Sequence, residues 1–115
     1  MLKTIIQASQ NFCVHQIRVT PILHDSIHTS KVFIAYIDIT LPTNQKHRAY
    51  IASSKEFMQR VSKLFLEEDE SDEETLIDMT LETANLIIGS AKVIAEEENE
   101  NPFTIGLPNF EKYDT

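Results

Sequence analysis

Apolar and polar positions alternate along the chain with two periods, which divide it into helices and strands. From 2 to 16 the apolar residues follow a helical spacing, which predicts a short amphipathic helix. Pro21 argues against a helix through Ile17–Leu23, so this segment is predicted to be an edge strand. Lys31–Leu41 alternates with a period of two, and its first half is apolar on both faces, which predicts a central strand.

A hairpin and a second helix are predicted next. Leu41–Gln45 contains Pro and Asn and is typical of a turn, after which Arg48–Ala52 returns as an antiparallel strand. Ser53 or Ser54 is suited to cap the helix that follows. The apolar stripe predicted for this helix consists of Phe57, Val61, Leu64 and Phe65.

The longest predicted helix follows an acidic run. Ser71–Glu74 matches a capping box, and the helical pattern continues to about Glu97. Phe103–Leu107 predicts a last strand that ends at Pro108, and 111–115 is predicted to be a flexible tail. The predicted core stripe of the long helix consists of Ile77, Leu81, Ala84, Ile88, Ala91 and Ala95.

Composition and charge narrow the class of protein. A chain of 115 residues has the length of one domain, which is predicted to span 1–115. Seven acidic residues in 67–74 account for all but one unit of the net charge of −8. We expect this run to form a solvated acidic loop that leads into a helix start, although a role in steering a partner is the alternative.

The same numbers argue against several kinds of partner. The chain lacks the clustered Lys and Arg of nucleic-acid-binding proteins, and no apolar run approaches the ~20 residues of a membrane span. The N-terminal apolar stretch is too short for a signal peptide. A single cysteine forms no intrachain disulfide and fits a reducing compartment. We therefore expect a cytoplasmic protein that binds neither nucleic acid nor membrane.

The histidines and the cysteine are weak candidates for chemistry. His24 and His28 have a spacing that suits metal ligands on a helix, but they fall in a predicted strand end and loop, without a third ligand. Cys13 falls on the apolar face of the first helix, which favours a buried thiol over a nucleophile. We expect no metal and no cofactor on this chain.

A second stripe of the long helix lies one residue, or ~100°, from the core stripe. Glu82 and Asn85 lie on it one turn apart and could together orient a water and bind a cationic group. Gly89 costs a helix ~1 kcal/mol relative to Ala, which suggests close approach of another element or of a partner. A solvated flank is the competing interpretation, and spacing alone favours it. The full stripe is Asp78, Glu82, Asn85, Gly89 and Lys92.

The residues around this stripe point to a family. An acidic residue, two spacers and an Asn are followed by Gly89-Ser90-Ala91 and Lys92, and later by Leu107-Pro108. This pattern resembles the CheX/CheC/FliY family of bacterial chemotaxis phosphatases, specifically over 76–108 and by element order over 1–66. The single Glu-x-x-Asn is similar to CheX and unlike CheC, which has two. The chain departs from the family in having Ser90 where Asn is frequent and in lacking Gly in its hairpin.

The resemblance implies a fold and an activity. The fold would be α+β, with an antiparallel β-sheet packed with a long central helix and two shorter helices. The activity would be hydrolysis of the aspartyl-phosphate of a CheY-type response regulator, which carries its own Mg²⁺. Asn85 would position the hydrolytic water, and Glu82 would pair with the regulator's active-site Lys.

The resemblance also implies partners and leaves two alternative roles open. Asp78, Gly89 and Lys92 would contact the regulator at the edge of the site, although for Asp78 and Lys92 exposed salt-bridge residues are the favoured interpretation. A homodimer through the sheet is expected, with Val32–Ile39 as a candidate strand. A non-catalytic regulator-binding adaptor is the alternative function. A structural role in the flagellar switch is the third, and the short chain counts against it.

Overall fold

The chain folds as a sheet covered on one face by helices, in a computed structural model that describes residues 1–18, 31–98 and 103–114. Within these ranges, three α-helices and a four-stranded antiparallel sheet confirm the predicted α+β class. The elements are α1 (Leu2–Asn11), a π-helical segment (Phe12–Ile17), β1 (Lys31–Thr40), β2 (Lys46–Ser54), α2 (Lys55–Leu66), α3 (Glu73–Glu97), β3 (Thr104–Ile105) and β4 (Asn109–Asp114).

Strand β1 is the central strand of the sheet, as its two apolar faces predict. It pairs with β2 along nearly its whole length on one side, and with β4 and then β3 on the other. The turn between β1 and β2 is closed by a hydrogen bond from the Asn44 N–H to the Leu41 carbonyl, 2.9 Å long. Asn44 has φ 67°, a left-handed conformation that Asn tolerates better than most residues.

The core lies between the inner face of the sheet and α3. Alternate residues of β1 are buried there, at Phe33, Ala35, Ile37 and Ile39. The C-terminal two-thirds of α3 buries its predicted stripe at Ala84, Ile88, Ala91 and Ala95. In the first turns the buried positions are Leu76, Met79, Thr80 and Thr83, whereas Ile77 and Leu81 are only half-buried. The buried face of α3 is therefore wider than the predicted stripe. In the first turns it is shifted by one residue toward the N-terminus relative to that stripe.

The structure confirms the predicted N-cap of α2 and corrects that of α3. The Ser54 hydroxyl accepts a hydrogen bond from the Phe57 N–H at 3.1 Å, so Ser54 caps α2 as predicted. The cap of α3 is Asp72 rather than Ser71, because the Asp72 carboxylate accepts the Thr75 N–H at 2.9 Å. The Ser71 hydroxyl donates instead to the Glu68 carboxylate at 3.1 Å, and its backbone N–H and C=O both bond to the Gln59 side chain.

Three other predictions need correction. In α2 the buried residues are Met58, Val61 and Ser62, because these face α3, whereas Leu64 and Phe65 remain exposed. The predicted last strand is shortened to Thr104–Ile105. The segment predicted as a tail continues β4 through Asp114, because its backbone pairs with the free side of β1.

The N-terminal helix has the predicted extent, although its last turns are π-helical. Ile17, predicted to begin an edge strand, instead ends this helical segment, and Arg18 follows with φ 62°. The rest of that predicted strand, through Leu23, lies outside the described residues. Among the helices that the structure describes, none combines the length and the apolar character needed to cross a bilayer.

Candidate functional site

The outer face of α3 presents the two polar residues that the sequence singles out. Glu82 and Asn85 are both exposed and lie one turn apart. The next residues inward, Ala84 and Ile88, are almost fully buried against the core. Because the inner side of the same helix is packed, the outer side chains project from a fixed backbone.

Neither polar side chain is engaged by the part of the protein that the structure describes. Glu82 and Asn85 make no hydrogen bond, and Glu82 no ion pair, with any part of the chain that the structure describes. The same holds for Asp78, which is exposed, and for Lys92, which is half-buried. The expected surface salt bridges at Asp78 and Lys92 are thus not formed within the described residues. The donors and acceptors of this face are accessible to water or to another molecule.

Gly89 lies one turn beyond Asn85 and opens a gap on this face. Apart from its chain neighbours and the adjacent backbone of α3, a Cβ atom added to Gly89 would meet no described atom within 4 Å. The sequence offers two reasons for a Gly here, close approach of another element of the fold or of a partner. The first reason finds no support among the described residues, since nothing approaches the Gly89 backbone.

Two exposed apolar side chains flank Gly89, and sequence reasoning missed both. Leu86 is 39% exposed and Val93 is 51% exposed. Their positions, four and eleven residues after Glu82, place them on the Glu82 face, and this spacing was the signal that could have found them.

A groove of about 330 Å³ runs along one side of this face. It lies where the π-helical segment and the end of α2 meet α3. Phe12 and Phe65 stack across it with ring centroids 6.2 Å apart. Its lining residues are Ala8, Asn11, Phe12, His15, Gln16, Phe65, Leu86, Ile87 and Ser90.

The histidines and the cysteine do not form a competing site in the described structure. His24 and His28 lie outside the described residues. In ranges 1–18, 31–98 and 103–114, no group of three or more His, Cys, Asp or Glu side chains is arranged to hold a metal ion. Cys13 is half-buried rather than buried, because it lines a cavity beside Ser9 and Phe57. Burial raises the pKa of the Cys13 thiol, which disfavours the thiolate that a nucleophile needs.

Comparison with known proteins decides the family. The sequence model of the family described as chemotaxis phosphatase CheX matches residues 35–113. The chain belongs to the CheX family. The match contains most of β1 together with β2, α2, α3 and β3, so the Glu82–Lys92 face lies inside the part that defines this family of chemotaxis phosphatases. No curated protein matches the chain by sequence.

Solved structures show that the CheX fold extends beyond that match. Chemotaxis protein CheX from Vibrio vulnificus superposes with a TM-score of 0.76 at 17% identity, covering 98% of this chain and 78% of that one. CheX from Desulfovibrio desulfuricans gives 0.75 at 20% identity, covering 97% and 77%. A CheC-like superfamily protein from Shewanella sp. PV-4 gives 0.77 at 16% identity, covering 99% and 77%. The N-terminal helix, which the family model does not reach, is therefore part of the shared fold.

Proposed function

We propose that this chain dephosphorylates the aspartyl-phosphate of a CheY-type response regulator. Membership of a family of chemotaxis phosphatases supports the reaction class. The observation that carries the proposal is a carboxylate and a carboxamide, Glu82 and Asn85, held one turn apart on a packed helix without partners among the described residues.

Asn85 positions the attacking water. An acyl phosphate is a reactive mixed anhydride, and the regulator's own Mg²⁺ and active-site Lys neutralise the charge that develops on the phosphoryl oxygens. A carboxamide accepts one hydrogen bond from water and donates another, so it fixes the oxygen in line with the phosphorus. The water attacks phosphorus, the bond to the aspartyl oxygen breaks, and inorganic phosphate and a free Asp carboxylate result.

Glu82 orients the regulator. Its carboxylate forms a charge-assisted hydrogen bond with the active-site Lys of the regulator, which fixes the register of the two proteins. With Asn85 one turn away on the same helix, this contact sets the distance between water and phosphorus. Such positioning contributes about 10²-fold or more to the rate. No metal or cofactor on this chain takes part.

Further contacts follow from the same docking. Asp78 and Lys92 lie at either end of the face and meet the rim of the regulator's active site. The protein acts in the cytoplasm, where its regulator is found. It forms a homodimer through the sheet. Because both edges of β1 are already paired, Val32–Ile39 contributes to that contact through the outer face of the sheet, where Tyr36 and Tyr50 lie, and not as an edge strand.

The proposal is tested by turnover. A regulator is phosphorylated with a small phosphodonor, and loss of the phosphorylated form is followed with this protein at a tenth of the regulator concentration. Complete and accelerated loss of the phosphoryl group is expected. An adaptor without catalysis would bind the phosphorylated regulator and leave its decay unchanged, which would contradict the proposal.

A further inference from the structure

We propose that the regulator packs an apolar side chain of its own onto a docking strip formed by Leu86, Gly89 and Val93 of α3. The inference deepens the proposed function and rests on it. It assigns the affinity for the regulator to an apolar contact beside the polar pair, and it gives Gly89 a role.

The docking strip and the polar pair form one continuous surface. At ~100° per residue, Glu82, Leu86, Gly89 and Val93 fall within an arc of roughly 60° around α3, and Asn85 lies roughly 40° outside it. At ~1.5 Å rise per residue, Val93 lies about 12 Å along the axis from Asn85. No side chain that the structure describes covers Gly89, which lies between them.

The size of a specific interface requires that this surface be covered. Stable protein–protein contacts bury about 800 Å² on each partner, far more than two polar side chains supply. A regulator whose active site engages Glu82 and Asn85 therefore covers further residues around this pair, and we infer that these lie one and two turns along α3. Those residues include Leu86 and Val93, whose exposed apolar surface gains most from being removed from water.

Gly89 is the position at which the regulator would come closest to the backbone of α3. Gly is unfavourable inside a helix, yet no described atom of this chain would prevent a larger residue at 89. The bare backbone between Leu86 and Val93 makes a shallow notch. A side chain of the partner that enters this notch contacts the helix backbone directly, which any side chain at 89 would prevent.

The groove next to the notch indicates an apolar occupant. The stacked rings of Phe12 and Phe65 line it, and so does Leu86. Polar side chains such as His15 and Gln16 also line it. A lining of aromatic and aliphatic side chains together with polar ones is compatible with a protein–protein contact.

The stability of Gly89→Ala tests whether the chain itself needs the glycine. We expect the midpoint of thermal unfolding to rise by about 4 °C, because Ala favours the helix and meets no clash. A lower midpoint would show that Gly89 serves the internal packing of the fold, and the inference would then be wrong.

Binding tests the partner contact without relying on catalysis. The Kd is measured for a regulator loaded with beryllofluoride, a stable mimic of the aspartyl-phosphate. Gly89→Leu, which keeps good helix propensity, should raise Kd at least tenfold, and Leu86→Ser should raise it several-fold. Leu107→Ser, at a residue 85% exposed outside the helices, is the control and should bind as the wild type does.

The outcomes separate this inference from the proposed function. If the wild type hydrolyses the phosphorylated regulator and Gly89→Leu binds with unchanged Kd, the docking strip is refuted while the phosphatase remains. If the wild type binds tightly without accelerating hydrolysis and Gly89→Leu weakens that binding, the docking strip stands and the phosphatase is refuted. Absence of binding by the wild type would overturn both.

Discussion

Two exposed faces of this protein differ in whether their polar side chains have partners within the described chain. On the outer face of the sheet, the Arg48 Nε donates to the Asp38 carboxylate at 2.7 Å. The Arg48 guanidinium also lies 4.3 Å from the centre of the Tyr36 ring. On the outer face of α3, Glu82 and Asn85 have no such partners among the described residues.

The difference shows how to separate a structural polar cluster from a candidate site. The hydrogen bond from Arg48 holds the pKa of Asp38 below its usual range, so this carboxylate is already stabilised within the chain. Glu82 keeps its full capacity to accept hydrogen bonds, and the packed helix fixes where it can do so. A rigid and unpartnered polar pair is suited to bind something outside the chain.

Removing a core side chain beneath the exposed face of α3 should have the largest effect on stability. Ile88→Ala leaves a cavity in the core beneath Gly89 and should lower the free energy of unfolding by about 2–5 kcal/mol. Val93→Ala, five residues later on the exposed side of the same helix, should change it by less than about 0.5 kcal/mol. Urea denaturation of both variants measures this contrast. Equal losses would mean that α3 is not oriented as described.

Removing a carboxylate from each face in turn tests the comparison directly. Glu82→Ala should lower kcat/KM for the phosphorylated regulator at least tenfold, because the contact with the regulator's Lys is lost. Asp38→Ala removes a carboxylate that is also exposed, from the sheet, and should stay within about twofold of the wild type. Steady-state rates of phosphate release measure both. A reversed order would assign the regulator to the sheet face instead.

The cap of α3 should show a pH dependence with a definite sign. Hydrogen bonds from the hydroxyl and the N–H of Thr75 hold the pKa of Asp72 below its usual value. The contribution of this cap is therefore present above the pKa of the unfolded carboxyl, near ~3.9, and is lost as pH falls through the lower folded value.

The measurement compares thermal midpoints of the wild type and Asp72→Ala. The wild type should unfold at the higher temperature at pH 7, and the gap should close in the acid range. Asp72→Asn is the matched control, since an amide caps a helix without titrating, and its advantage over Asp72→Ala should persist at low pH. A gap that widens on acidification would contradict the assignment of the cap.

The smallest effect is expected from the sheet cluster. Arg48→Ala should shift the thermal midpoint only slightly, because the Arg48 and Asp38 side chains are 45% and 56% exposed and their ion pair is open to solvent. The pKa of Asp38, followed by NMR, should rise toward its ordinary value once its donor is gone. An unchanged pKa would mean that the contact between Arg48 and Asp38 is not populated in solution.

The sequence predicted those parts of the fold in which one period dominates. The two-sided apolar pattern of β1 and the long helical pattern of α3 are each strong enough to fix an element. The cap of α3 was misplaced by one residue because Ser71 is bound by Gln59, a contact across 12 positions that no local pattern contains. β4 was missed because its polar residues are held by backbone pairing with β1, which does not depend on side-chain type.

The candidate site, like the fold, was predicted in part from the sequence. Helical spacing predicted that Glu82 and Asn85 share an exposed face, and the structure places them so. Resemblance to the family, rather than spacing, proposed their roles. The open surroundings of Gly89 and the groove between Phe12 and Phe65 depend on how three segments meet, which a single sequence does not specify.

The most direct test of the central claim is a single-turnover comparison of the wild type with Asn85→Ala. Each protein is added in saturating excess to a regulator phosphorylated in advance, and the first-order loss of the phosphoryl group is timed. We expect the wild type to exceed Asn85→Ala by about 10²-fold or more, with Asn85→Ala binding the phosphorylated regulator nearly as tightly. Equal rates for the two proteins at saturation would contradict the assignment of Asn85 to the hydrolytic water.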